Sequence, residues 1–181
     1  LDVLTKKQVD GMIFVSTGEN KESLKKLVEL QIPTVVLDRD LAGIKMDCVQ
    51  ADNMQGGYLA TRHLISLGHR RIGCIVGSSK VTPSSQRVTG YQKACEEFGI
   101  AVDTNLIVRG HFNPESGWEL GRELLSRKDR PDAIFVCNDM MAIGVLRAAA
   151  ELHIRVEIPH LITRRNRHGK QREHQNCTYD Q

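Results

Sequence analysis

Leu59-Ala-Thr-Arg-His-Leu-Ile-Ser-Leu-Gly68, running directly into His69-Arg-Arg-Ile-Gly-Cys-Ile-Val76, changes its period halfway along. In the first half Leu59, Ala60, His63, Leu64 and Leu67 recur at helical spacing and share one face. Gly68 is the residue type that closes a helix in the left-handed conformation. In the second half, Arg71 to Val76 is a mostly apolar run of strand length and reads as the next strand. A helix handed straight to such a strand is the building unit of a parallel sheet with crossover helices.

Working outward, the alternation repeats. Upstream, Asp52 and Asn53 are good helix N-cap residues after a short strand over 47–51. Residues 34–37 form a strand behind the Pro33 turn, Leu24, Leu27 and Val28 mark a helix, and residues 11–16 form the first strand. Downstream, a helix carries Val88, Tyr91, Cys95 and Phe98 on its inner face and stops at Gly99. A strand over 106–109 follows, then a helix opened by Pro114 and reaching Leu125, a strand over 132–137 and a helix over 138–152. Beyond Arg155 the pattern fails, and residues 163–181 are expected to be aberrant or without fixed structure.

Composition narrows the function. Forty per cent hydrophobic and 26% charged residues describe an ordinary globular chain, and the longest apolar runs, such as 72–76, are far too short to span a bilayer. The formal charge of +3 sits in the tail: Arg164, Arg165, Arg167, Lys170 and Arg172 against Glu173 and Asp180 account for all of it, so the body is neutral. Five cysteines, widely spaced and without a CxxC pair, read as reduced core thiols of a cytosolic protein. No signal-peptide pattern opens the sequence, and a start that falls mid-helix suggests a fragment. No GxGxxG, GxxxxGK[ST] or HExxH occurs, which removes the usual handles for dinucleotides, nucleotide phosphates and catalytic zinc. The seven histidines are scattered or lie in the tail, so no metal cage is expected.

Val9-Asp-Gly-Met-Ile13, Pro33-Thr-Val-Val-Leu-Asp-Arg39, Asp52-Asn53 with Gly56-Gly57, and Leu67-Gly-His-Arg-Arg-Ile72 come in a recognisable order. Gln86-Arg-Val-Thr-Gly-Tyr91, Gly110-His-Phe-Asn-Pro-Glu-Ser-Gly117, and Arg130-Pro-Asp-Ala-Ile-Phe-Val-Cys-Asn-Asp139 with Met141-Ala-Ile-Gly144 continue it. Together they resemble the effector-binding core of the lac repressor (LacI/GalR) family over residues 1–158, and Lys80-Val-Thr-Pro83 is nearest to the ribose-repressor branch. The resemblance implies an α/β, two-lobed, periplasmic-binding-protein-like fold, with parallel sheets flanked by helices and an effector in the cleft between the lobes. It implies no enzymatic activity and no cofactor. Residues 1–51 would be a partial N-terminal lobe, 52–158 an incomplete C-terminal lobe and 159–181 a divergent basic tail. Family members read operator DNA through a helix-turn-helix ahead of the point where this sequence starts, and they continue with further strands after the last helix. The expected partners are a sugar-like, ribose-like small molecule, operator DNA through that helix-turn-helix alone, and a second copy in a homodimer. The expected location is the cytoplasm, with no membrane contact.

The resemblance also nominates ligand-binding residues. Arg87 matches a position where relatives point a guanidinium at the effector, and its fork of donors suits paired hydroxyls; the alternative is a solvated helix arginine. Asn138 and Asp139 follow a strand directly and offer donor and acceptor groups, although either could simply cap the next helix. Phe112 matches a position whose ring stacks on the ligand, with core packing as its rival. Asp38, at the end of a first-lobe strand, could accept hydroxyl donors, or could pair with Arg39 or serve a turn. Three other readings compete. A sugar-binding protein of a transport system shares the fold but works outside the cytoplasm. An enzyme using Asp139 or Asp38 as base lacks a nearby nucleophile or metal. Nucleic-acid binding by the tail lacks a recognition helix.

Overall fold

The computed structural model describes residues 9–15, 21–38, 46–78 and 81–157. They form two three-stranded parallel sheets, each with its own core. Residues 158–181, which include the whole of the basic tail, lie outside the described residues, as do Arg39 and Lys80.

The first sheet has the order β1 (Met12–Val15), β2 (Thr34–Leu37), β3 (Asp47–Val49). Met12 pairs with Thr34 and Val36 with Cys48. Helix α1 (Lys21–Glu29) makes the crossover and buries Leu24 and Leu27 completely against Val36, with Met12, Phe14, Ile32 and Met46 around them. Burial alternates along β1, leaving Ile13 72% and Val15 61% exposed. Strand side chains point alternately to the two faces, so among the described residues only the face toward α1 is covered.

The second sheet has β4 (Ile72–Val76) at its centre, between β5 (Ile107–Arg109) and β6 (Ala133–Val136). The chain passes from β4 to β5 through α3 (Thr82–Glu97), then back across β4 to β6 through α4 (Pro114–Leu125). Right-handed crossovers in opposite directions put α3 and α4 on opposite faces. That is why every residue of β4 is buried and why its sequence is apolar without alternation. Helix α2 (Asn53–Ser66) lies against α3, and α5 (Asp139–Glu151) against α4. Gly68, at φ +97°, and Gly99, at φ +65°, end α2 and α3 in the left-handed conformation expected of them.

Two expected helix faces are corrected. Helix α2 buries Asn53, Gly57, Thr61 and Ile65, while Leu59 and Leu67 are 41% and 51% exposed and His63 is exposed. The reason is how close the two helices come: a Cβ on Gly57 would stand 2.3 Å from the Arg87 carbonyl oxygen, and one on Gly90 would stand 2.0 Å from that of Met54. Small residues therefore take the contact, and the leucines are turned outward. Val88, Tyr91 and Cys95 of α3 are buried as expected, whereas Phe98 is 48% exposed. Of the described cysteines, Cys74, Cys95 and Cys137 are buried free thiols, and Cys48 is exposed.

Candidate functional site

The three strands of the second sheet end together. Cys137 N–H donates to Ile75 O at 2.9 Å and Gly110 N–H to Val76 O at 2.7 Å, so Gly77, Gly110 and Cys137 line up along the carboxyl edge. Helices α3, α4 and α5 begin just beyond this edge. Open parallel sheets bind ligands here, because loops diverge and helix N-termini converge.

Arg87 lies at this edge, half-buried rather than solvated. Its Nε donates to Asn53 Oδ1 at 3.0 Å and its Nη1 to the Cys137 carbonyl at 2.6 Å, linking α3 to the start of α2 and the end of β6. Asn138 is the N-cap of α5: its Oδ1 accepts from Met141 N–H at 3.2 Å, and its Nδ2 donates to the Phe112 carbonyl at 3.3 Å. Phe112 adopts φ +62°, and its ring lies directly on Gly77, where a Cβ would come within 1.9 Å of the ring. It packs against the core while remaining half-buried, so packing and exposure coexist at this ring. Asp139 opens α5 as an exposed carboxylate at a helix N-terminus.

A continuous network therefore runs from Asn53 through Arg87 and Cys137 to Asn138 and Phe112. Asp38 does not join it. It directly follows β2 in the first sheet, exposed and at φ +68°, with its N–H donating to Val49 O at 2.9 Å. Its alternative pairing with Arg39 lies outside the described residues.

Sequence reasoning missed three participants. Asn53 was legible only as a helix-start residue. Asp52 is the cap, its carboxylate accepting from Gln55 N–H at 2.8 Å, while Asn53 is 3% exposed and faces Arg87. Arg109 donates to the Gly77 carbonyl at 3.1 Å, and Gly77 is the floor under Phe112. None of these pairings leaves a periodic or spacing signal.

The basic pair of Leu67-Gly-His-Arg-Arg-Ile72 is at the opposite, amino-terminal edge. Asp132 accepts from the backbone N–H groups of Arg70 and Arg71, and the Arg71 guanidinium holds Asp103 at 3.0 Å and Asp129 at 2.8 Å. The Asn105 backbone N–H, aided by Arg71, keeps the Asp103 carboxyl below its ordinary range. Two surface hollows lie at amino-terminal strand ends, one beside Arg70, Arg71 and Asp132, the other beside Pro33, Thr34 and Asp47. The first is lined by charges that already satisfy one another, and the second has no convergent set of donors. The carboxyl edge carries the stronger chemical argument. Burial raises the Cys74 thiol and the Tyr91 phenol, which stay neutral in the core. No cluster of three potential metal ligands occurs among the described residues, and no helix among them is long and apolar enough to cross a membrane.

Comparison with known proteins agrees with the α/β fold. Residues 1–168 match the family described as periplasmic binding proteins and sugar binding domain of LacI family. The HTH-type transcriptional regulator DegA of Bacillus subtilis (strain 168) is 40% identical over 157 residues, covering 85% of this chain and 46% of its own length. The HTH-type transcriptional repressor PurR of Haemophilus influenzae (strain PittEE) is 38% identical over 157 residues, covering 86% and 46%. The crystal structure of the transcription regulator CcpA of Lactococcus lactis superposes with a TM-score of 0.76 at 29% identity, covering 86% of this chain and 56% of that one. The chain spans about half the length of the curated relatives it matches. The parallel sheets, the flanking helices and these matches together place the chain in the family of periplasmic binding proteins and LacI-type sugar-binding domains.

Proposed function

We propose that the carboxyl edge of the second sheet binds a small polyhydroxylated effector, and that in the full-length regulator this binding is coupled to operator DNA. The observation that carries the reading is Arg87. Two of its nitrogens are committed to Asn53 and Cys137, and among the described residues Nη2 has no protein acceptor. A guanidinium held at Nε and Nη1, on the same strand edge as the Phe112 ring over Gly77 and the exposed Asp139 that opens α5, supplies the donor, platform and acceptor types that a sugar requires. Family membership supports the sugar class, and the finer reading is a ribose-like ligand, suggested by Lys80-Val-Thr-Pro83. Asp38 would contribute from the first lobe, with the boundary between lobes at residues 51 and 52. Coupling would follow from the effector favouring one arrangement of the lobes, a linkage of about 1–3 kcal/mol in typical systems. We also assign a homodimer to the assembly, supported by the exposed apolar residues Met140, Ile143 and Leu146 along α5. The relatives are regulators, which favours sensing over sugar transport and over catalysis.

The test is a thermal-shift panel of pentoses, hexoses, sugar phosphates and purines on this chain and on its Arg87→Ala variant. The expected result is stabilisation by one ligand class in the parent and none in the variant. Equal stabilisation of both proteins would remove Arg87 and this edge from the site.

A further inference from the structure

We infer that Asn53 is the positioning residue of this site: it sets the Arg87 guanidinium so that the remaining Nη2 edge meets the effector. The inference rests on the reading of Arg87 as an effector contact and extends it to a residue on a different element.

The orientation of the Asn53 amide is decided by its two partners. Arg87 Nε is a donor and must face Oδ1, 3.0 Å away; the Ala51 carbonyl is an acceptor and must face Nδ2, also 3.0 Å away. Both halves of the amide are used, and the side chain is almost fully buried at 3% exposed. Such a group is held rigidly, because rotating it would leave buried donors and acceptors unpaired. The close approach of Gly57 to the Arg87 backbone brings α2 and α3 near enough for the contact. The Cys137 carbonyl takes Nη1 at 2.6 Å, so the guanidinium is fixed by two acceptors from two different elements. A planar fork held at Nε and Nη1 has the position of Nη2 and the plane of its two N–H groups fixed as well.

Asn53 has a second property that a simple cap would lack. Residues 50–52 join β3 of the first sheet to α2 of the second, and Asn53 Nδ2 is anchored to Ala51 within that connection. The aim of the effector-binding arginine is thereby referenced to the segment joining the two lobes. Asn53→Asp keeps an oxygen acceptor for Arg87 while losing the donor to Ala51, whereas Asn53→Ala loses both. The pair separates the two contacts.

The experiment has two readouts on the whole 181-residue chain. The first needs no ligand: the Arg87 Nε–H resonance in 15N-labelled protein, assigned by its loss in Arg87→Ala. It is expected to be resolved and protected from exchange in the parent and in Asn53→Asp, and to merge with the exposed arginines in Asn53→Ala. The second is affinity, by titration calorimetry with D-ribose, D-glucose, D-glucose 6-phosphate and hypoxanthine as probes. For the probe that binds, Asn53→Ala is expected to weaken binding about tenfold, Asn53→Asp to restore it to within about threefold, and Asn53→Ala to add nothing in an Arg87→Ala background. An unchanged Arg87 resonance in Asn53→Ala overturns the inference whatever the probes do, and so does an equal affinity loss with and without Arg87. A resonance that responds as expected, in a protein whose probe binding ignores Arg87→Ala or that binds none of the probes, instead overturns the effector reading of Arg87. The positioning role then falls with it, leaving a structural clamp.

Discussion

Asn138 meets two demands with one amide. Its oxygen caps α5 through Met141 N–H while its nitrogen holds the Phe112 carbonyl, and Phe112 is a non-glycine residue at positive φ whose conformation has to be held by its surroundings. The cap was legible in the sequence, because Asn-Asp between a strand and an apolar helix is a strong start signal. The tie to Phe112, 26 residues away, was not, since nothing local encodes which strand ends lie side by side. The same limit hid Asn53 behind the better-known capping role of its neighbour Asp52. Asn138→Ser keeps a capping oxygen but gives up the bond to the Phe112 carbonyl, so it should lose less stability than Asn138→Ala. Asn138→Ala should cost about 1 kcal/mol, or roughly 2–4 °C of melting temperature for a chain of this size, measured by thermal unfolding under circular dichroism. Equal melting of the two variants would show that the cap contributes nothing. If Asn138 also touches the effector, as the resemblance suggests, the serine variant should lose affinity while remaining more stable than the alanine variant.

At the scale of elements, the two helix pairs of the second sheet are built alike. Gly57 and Gly90 set the α2–α3 contact, and Gly117 and Gly144 the α4–α5 contact: a Cβ on Gly117 would come 2.2 Å from the Met141 carbonyl oxygen, and one on Gly144 would come 2.1 Å from that of Pro114. The strands and helices themselves were legible because period and cap signals are local, and the order of elements came with them. The buried faces were less so. A hydrophobic stripe assumes that large side chains fill the contact, whereas here glycine lets backbones approach and leaves Leu59 and Leu67 outside. Gly90→Ala or Gly144→Ala should therefore destabilise the chain by about 1–3 kcal/mol through overpacking. Gly56, also within α2, has nothing within 4 Å of a Cβ, so Gly56→Ala should stabilise by about 0.5–1 kcal/mol through the removal of backbone freedom. Urea unfolding of the three variants checks both signs, and a gain in stability at position 90 or 144 would contradict the close-packing account.

For the whole molecule, the outward surface of the second sheet's helices bears on the proposed homodimer. Met140, Ile143 and Leu146, three residues apart along α5, are 48%, 56% and 38% exposed, while Met141, Val145 and Ala148 of the same helix are buried. An amphipathic helix with its apolar side already spent on the core has no internal use for a second apolar stripe. The stripe is bordered by polar groups held in place: Trp118 Nε1 donates to Glu151 at 2.8 Å, Arg147 Nε donates to the same carboxylate at 2.9 Å, and the Arg147 and Arg122 guanidiniums lie 5.3 and 5.6 Å from the Trp118 ring centroid. The two hydrogen bonds hold the Glu151 carboxyl below its ordinary range, so it stays charged at neutral pH. An apolar centre with an ordered polar rim is the anatomy of a protein–protein interface. If this face joins two copies, the double variant Ile143→Glu, Leu146→Glu should convert a dimer into a 20.3 kDa monomer in sedimentation velocity. Its far-ultraviolet circular dichroism should not change, because both side chains already point outward. A variant that still sediments as a dimer, or a parent chain that is monomeric at micromolar concentration, would remove this face as the dimer contact. The stripe would then be left without a partner in this assembly, while the separate case for Arg87 would stand, because it concerns a different edge of the fold.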